Sequence, residues 1–231
     1  MKTRLLLITL SAIFLFSLTH DVCAAETKQQ IDKKVRECAA LFDEVMQMPD
    51  HAIPDDLLSN CSGIAIFPNL VKGGFVFGAQ FGTGVVVYRD KKTKQWSNPS
   101  FYTIGGGSFG LQIGGQVVDL ILVIMNERGM QSIAGGSLTL GGDAAASAGP
   151  VGRNAEIGTD ALMKTGIFSY SRSKGLFAGV TLKGTVLAPD SKENEIYYGE
   201  ALTSEDILLR GKGQPTEQAR ELSGVLKRYS K

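Results

Sequence analysis

Twenty-four of the chain's 28 glycines fall between Gly63 and Gly184, interleaved with short apolar runs rather than gathered in a repeat. Neither a collagen period nor low complexity has this form. Phe75, Phe77, Ala79 and Phe81 alternate with Gly74, Val76, Gly78 and Gln80, and Val85 to Tyr88 follows after Gly82-Thr83-Gly84. A period of two is that of a strand with two distinct faces. Glycine inside strands marks bulges, bends and close backbone approach. The pattern therefore predicts a strongly curved antiparallel sheet or partly closed barrel, able to enclose an apolar groove.

Further strands are expected at Gly63 to Phe67, stopped by Pro68-Asn69, at Ser100 to Ile104, at Phe109 to Ile113 and at Ser137 to Leu140. Val117 to Met125 is almost purely apolar and reads as a strand buried on both faces or a buried helical turn. Asp119 lies inside it. A carboxylate there needs a partner or a raised pKa, and both a structural ion pair and a functional acid stay open. Helices flank the sheet. From Glu26 to Met48 the residues Ile31, Val35, Cys38, Phe42 and Val45 recur at three- and four-residue steps, one stripe of a helix that docks on the body. Its other face mixes Lys33, Lys34 and Arg36 with Asp32, Glu37 and Asp43, unlike a helix that lies on anionic lipid. A short helix opens at Pro54, another runs from Glu127 to Ile133, and two close the chain after Ser204 and Pro215. Arg89 to Asn98 and Asp190 to Asn194 read as charged loops. The fold class is α+β, with an N-terminal helix and C-terminal helices packed on the curved sheet.

Lys2 and Arg4 precede an apolar run from Leu5 to Leu18, and small residues follow at Cys23-Ala24-Ala25. Residues 1–24 read as a secretory signal peptide; a lipid anchor on Cys23 is the rival reading. Residues 25–60 form a helical segment and 61–231 the main domain. Export, with a periplasmic or envelope-associated destination, is the expected localisation. Removing Lys2, Arg4 and Asp21 from 24 basic and 23 acidic residues leaves 22 of each, so no basic excess points to nucleic acid. Cys38 and Cys61 remain. In an oxidising compartment they form a disulfide candidate, with two small buried apolar side chains as the alternative.

Catalytic signals are weak. His51 is the only histidine after residue 24, so triads and Cys/His metal sites lack members. Gly105-Gly106-Gly107-Ser108-Phe109-Gly110 satisfies a dinucleotide fingerprint, but Leu111 to Gly115 alternates like a strand where the phosphate-binding helix should begin. No enzyme, cofactor or metal is expected. What remains is a recognition surface: Lys72, Arg153, Arg172, Lys174 and Lys183 are isolated cations among glycine and serine, able to hold a phosphate or simply to be solvated edge charges.

Ile167 to Arg172 and Leu176 to Leu182 read as a β-hairpin with Lys174-Gly175 at its tip. Leu176, Ala178, Val180 and Leu182 form its apolar face; Phe177, Gly179, Thr181 and Lys183 form the other. Together with Gly63 to Pro68, Lys72-Gly73-Gly74-Phe75, Asp119 to Val123, Gly149 to Arg153 and Tyr198-Gly199, the stretch Ser169 to Gly179 closely resembles the SYLF (Ysc84-like) domain family. The resemblance implies binding of membrane phospholipids, phosphoinositides among them, and in some relatives actin. It implies that Arg172 and Lys174 meet phosphate groups and that Phe177 touches acyl chains or packing neighbours. The leader makes actin and cytoplasmic phosphoinositides improbable native partners. An envelope structural or protein-interaction module is the alternative reading.

Overall fold

The computed structural model describes residues 26–48, 52–74, 77–109, 114–152, 166–173 and 175–231. Residues 1–25, expected to include a signal peptide, and His51, Arg153 and Lys174 lie outside these residues. The elements are α1 (Lys28–Gln47), α2 (Asp55–Asn60), β1 (Gly63–Gly74), β2 (Phe77–Tyr88), β3 (Ser100–Phe109), β4 (Gly114–Ile124), α3 (Glu127–Gly135), β5 (Leu138–Leu140), β6 (Ala146–Ala148), β7 (Ile167–Ser173), β8 (Leu176–Gly179), β9 (Thr185–Pro189), α4 (Ser191–Tyr198), α5 (Ser204–Leu208) and α6 (Glu217–Tyr229).

The strands form one sheet in the order β5-β9-β3-β2-β1-β4-β7-β6, with β8 paired to β7. Its two outermost strands, β5 and β6, are joined by only residues 141–145, so the edges lie within about 20 Å of one another. That short seam curls the sheet into a nearly closed barrel. The pairing is antiparallel apart from β6 with β7, which is parallel.

Side chains alternate between the two faces of this wall. Ile64, Ile66, Val85, Val87, Phe101, Ile121 and Val123 point outward beneath α1 and α4, and α6 packs on α1. Ala65, Phe67, Leu70, Val86, Tyr102, Ile104, Leu120 and Leu122 point inward, where Met130 and Ile133 of α3 plug one end. From Leu120 to Ile124 β4 is thus buried on both faces, as its apolar run requires. The predicted stripe of α1, from Ile31 to Val45, is fully buried. The helix starts at a capping box: Thr27 accepts from the Gln30 amide, and the Gln30 side chain accepts from the Thr27 amide.

Three boundaries differ from the sequence reading. β3 does not end at Ile104 but runs through Gly105-Gly106-Gly107 to Phe109, and residues 110–113 of the strand expected at Phe109 to Ile113 lie outside the described residues. β1 does not stop at Pro68-Asn69 but bulges there and continues to Gly74, with Asn69 at φ 56°. A bulge is where a strand tolerates proline, because no ladder amide is required of it. Residues 191–198 are a helix rather than a charged loop, with Asp190 accepting from the Glu193 amide as its N-cap. Glu193 then reaches α1, where Lys34 Nζ lies 2.7 Å from both of its carboxylate oxygens and 3.1 Å from Glu26. Arg89 donates to the carbonyls of Leu58, Ser59 and Ser230, tying the ends of α2 and α6 together beneath Trp96.

Candidate functional site

The hairpin carrying the family-like stretch is β7 and β8. Gly175 turns it at φ 79°, a conformation costly for any residue with a Cβ. Within β8 the buried and exposed sides are opposite to those read from the apolar alternation, Phe177 being 3% exposed and Leu176 72%, while Val180 and Leu182 beyond the strand pack on the inner core as read. The reason is Tyr170, fully buried on the outer wall, whose ring stacks on Phe177 with centroids 5.3 Å apart and planes within 3°. Phe177 is a packing residue of the outer core, with no surface to offer an acyl chain.

Arg172 is likewise committed. It pairs in register with Asp119, donating from Nε at 2.9 Å and from Nη2 at 2.8 Å, and its Nη1 meets Glu44 of α1 at 2.5 Å. Asp119 Oδ1 accepts from the Asn69 amide at the β1 bulge, 3.0 Å away. Asp119 therefore has the structural role, anchoring a bulge and an arginine. With two carboxylates beside it, Arg172 is not a free cation for a phosphate. A shallow depression of about 280 Å³ beside this cluster is lined by Asn69, Val117, Asp119, Arg172 and Ser173.

The disulfide is not formed. Cys38 and Cys61 are free, buried thiols that donate to different carbonyls, those of Ile66 and Leu58. Cys38 sits mid-helix on α1 and Cys61 at the foot of β1, each filling a small gap in the core.

Lys72 remains. It follows the bulge on the inward-facing side of β1, at the barrel end opposite α3, and its cross-strand partners are Gln80 and Gln116. Gln116 donates to Ser173 and Gln80, buried, donates to Thr185, so a polar ring runs from β7 across β4, β1 and β2 to β9. Lys72 is half-buried within it and makes no ion pair or hydrogen bond with any described residue. Loss of water alone pulls its pKa below the ordinary lysine value, with no carboxylate to restore it. Lys183 is exposed at the same end, in the turn before β9 and three strands from Lys72, about 14 Å across the wall.

Sequence reasoning missed Gln80 and Gln116, although both are lone polar residues in glycine-rich strands next to Lys72. Outside the ring the next row of the wall is Gly115, Gly73, Ala79 and Gly107, in register and bare of large side chains. Among the described residues no group of three or more His, Cys, Asp or Glu converges as a metal site. No described helix is long and apolar enough to cross a membrane.

Comparison with known proteins places this geometry in a family. Residues 105–229, from the middle of β3 to the end of α6, match the family model described as Ysc84, Las17-binding protein actin regulator. The human SH3 domain-containing YSC84-like protein 1 is 35% identical over 201 residues, which are 86% of this chain and 58% of that protein. LAS seventeen-binding protein 3 of Saccharomyces cerevisiae is 34% identical over 199 residues, 84% of this chain and 43% of its own. An SH3 domain-containing protein of Schizosaccharomyces pombe is 40% identical over 167 residues, 71% of this chain and 38% of its own. This chain thus spans about half the length of the curated relatives it matches. Since the matched region takes in β4 with Asp119, the β7–β8 hairpin and the helices that close the wall, this chain belongs to the Ysc84 (SYLF) family.

Proposed function

We propose that this chain is an exported, non-enzymatic protein of the cell envelope that binds anionic phospholipid at the open end of its barrel. The observation that carries the reading is Lys72, a half-buried cation set between Gln80 and Gln116 without an acidic partner among the described residues. A dehydrated cation ringed by amide and hydroxyl groups suits a phosphate, which supplies the missing charge and accepts from Lys72 and from side-chain amides. Export rests on the leader at residues 1–24 and is tested by the mature N-terminus found in fractionated envelopes, which also decides whether Cys23 carries lipid.

The binding test is sedimentation with phosphatidylglycerol-containing vesicles beside pure phosphatidylcholine vesicles. Wild type pellets with the former, and Lys72→Gln weakens this about fivefold, the effect of one cation at an anionic surface. Wild type left in the supernatant with every vesicle composition overturns the reading.

The relatives' names favour a second reading, in which the same surface is a protein-interaction module. A stoichiometric protein co-purifying from envelopes, with no extractable lipid, is the result that selects it.

A further inference from the structure

The outer wall above the helices carries a feature that the headgroup site does not use. Val117, Val71, Phe81, Gly105 and Val186 are successive cross-strand partners on β4, β1, β2, β3 and β9, all on the outward face. α1 covers this face lower down, at Ile66 and Val85, and leaves this row exposed. The exposures are 56% for Val117, 53% for Val71, 59% for Phe81 and 40% for Val186. Cross-strand neighbours stand about 4.8 Å apart, so the four side chains form one band about 19 Å wide rather than scattered apolar residues. Along these strands toward the mouth charge is sparse: between residues 71 and 82 and between 104 and 118, Lys72 is the one charged residue in the sequence, and the Asp119–Arg172 pair borders the band at Val117.

We infer that this band is the edge on which the protein sits in an anionic phospholipid bilayer, barrel mouth downward, with one lipid headgroup drawn into the mouth. The inference rests on the phospholipid reading and specifies how that site meets its membrane. Three features favour a bilayer over a protein groove. The band lies on the convex side of a curved wall, and the depression that borders it at Val117 is shallow, about 280 Å³, and lined by Asp119 and Arg172. Within the band Val71, Phe81, Gly105 and Val186 each have ladder partners on both sides, so the middle of this wall can meet an apolar medium with its amides paired. From the band at Val71 to the end of β1 at Gly74 is three residues, about 10 Å, a depth suited to the interfacial zone. Lys72, one position beyond Val71 on the lumen side, then meets the phosphate while the wall outside meets acyl chains.

The experiment compares wild type, Phe81→Glu, Val71→Glu and Gln131→Glu in sedimentation with phosphatidylglycerol/phosphatidylcholine vesicles. Gel filtration without lipid and urea unfolding of each variant accompany it. Gln131 is exposed on α3 at the opposite end and adds the same charge away from the band. Phe81→Glu and Val71→Glu each lower vesicle affinity about tenfold or more, while Gln131→Glu lowers it far less. Their urea midpoints and elution volumes match wild type, because the replaced side chains are exposed. If wild type pellets and both band variants pellet equally well, the inference fails and the phospholipid reading stands. If wild type binds no vesicle at all, both fail. If Phe81→Glu converts a wild-type dimer to monomer in the absence of lipid, a second copy covers the band and the inference is overturned.

Discussion

Gly149 lies against the ring of Tyr170 so closely that a Cβ on it would stand 2.1 Å from Tyr170 Cζ. Its carbonyl in turn presses on Gly179, where a Cβ would stand 2.0 Å from that oxygen. The glycines of the family-like stretch therefore clear space for a stacked Tyr170–Phe177 pair, and their role is packing. Gly149→Ala and Gly179→Ala are each expected to destabilise the fold by about 1–3 kcal/mol, since a well-packed site must shift backbone to accept a methyl group. Urea denaturation measures this directly, and unchanged midpoints would contradict the close approach.

Asp119 and Glu44 hold Arg172 unequally. Asp119 is mostly buried, accepts from Arg172 and from the Asn69 amide, and spans β4, β7 and the β1 bulge. Asp119→Ala is expected to cost about 1–3 kcal/mol by leaving a bulge amide and a guanidinium without their acceptor. Glu44 is 60% exposed, so Glu44→Gln costs under about 1 kcal/mol. A double-mutant cycle of Asp119 with Arg172 in urea separates the pair from the amide contact.

Glu193 gives the fold a pH dependence. Burial and the neighbouring Glu26 raise its pKa from the ordinary 4.5 to about 7, although Lys34 pulls the other way. The folded chain therefore holds this proton more tightly than the unfolded chain does. That contribution is fully present below the unfolded value and is lost as pH rises through about 7. Unfolding midpoints are expected to fall between about pH 5 and about pH 8, and Glu193→Gln to flatten the fall. A Glu193→Gln variant with the wild-type slope would place the titrating group elsewhere.

Burial also pushes the Cys61 thiol up to about 12 and raises Cys38 in the same way. Neither presents a thiolate, the reactive form. Peptide mapping after iodoacetamide is expected to find both unmodified in the native protein and both modified after denaturation, and reductant is expected to leave the unfolding midpoint of the native protein unchanged. A cross-linked Cys38–Cys61 peptide from protein purified without reductant would refute this.

What could be read from the sequence followed period and glycine. α1 was legible because five apolar residues shared one helical stripe, and the curved wall because glycine interrupted alternating strands. The β7–β8 turn was legible from Gly175, but the direction of its side chains was not. Both faces of β8 carry apolar residues, and the deciding partner, Tyr170, lies across the hairpin. The partners of Arg172 were hidden for a similar reason, since Glu44 is 128 residues away and meets it only through the docking of α1. Lys34 and Glu193 are 159 residues apart and gave no local sign of pairing. The helix at Ser191–Tyr198 did have a signal, an aspartate three residues before a glutamate, obscured by the charge of the stretch. Lys72 stood out as a lone cation, yet its ring of Gln80, Gln116, Ser173 and Thr185 exists only once four strand registers are known.

The seam at residues 141–145 bears on whether copies of such a glycine-rich wall can pair edge to edge. A long flat sheet with open sides is a template for stacking copies into fibrils. Here the outermost strands β5 and β6 are three residues each and turn toward one another, so an incoming strand finds only a short, sheltered row of amides to extend.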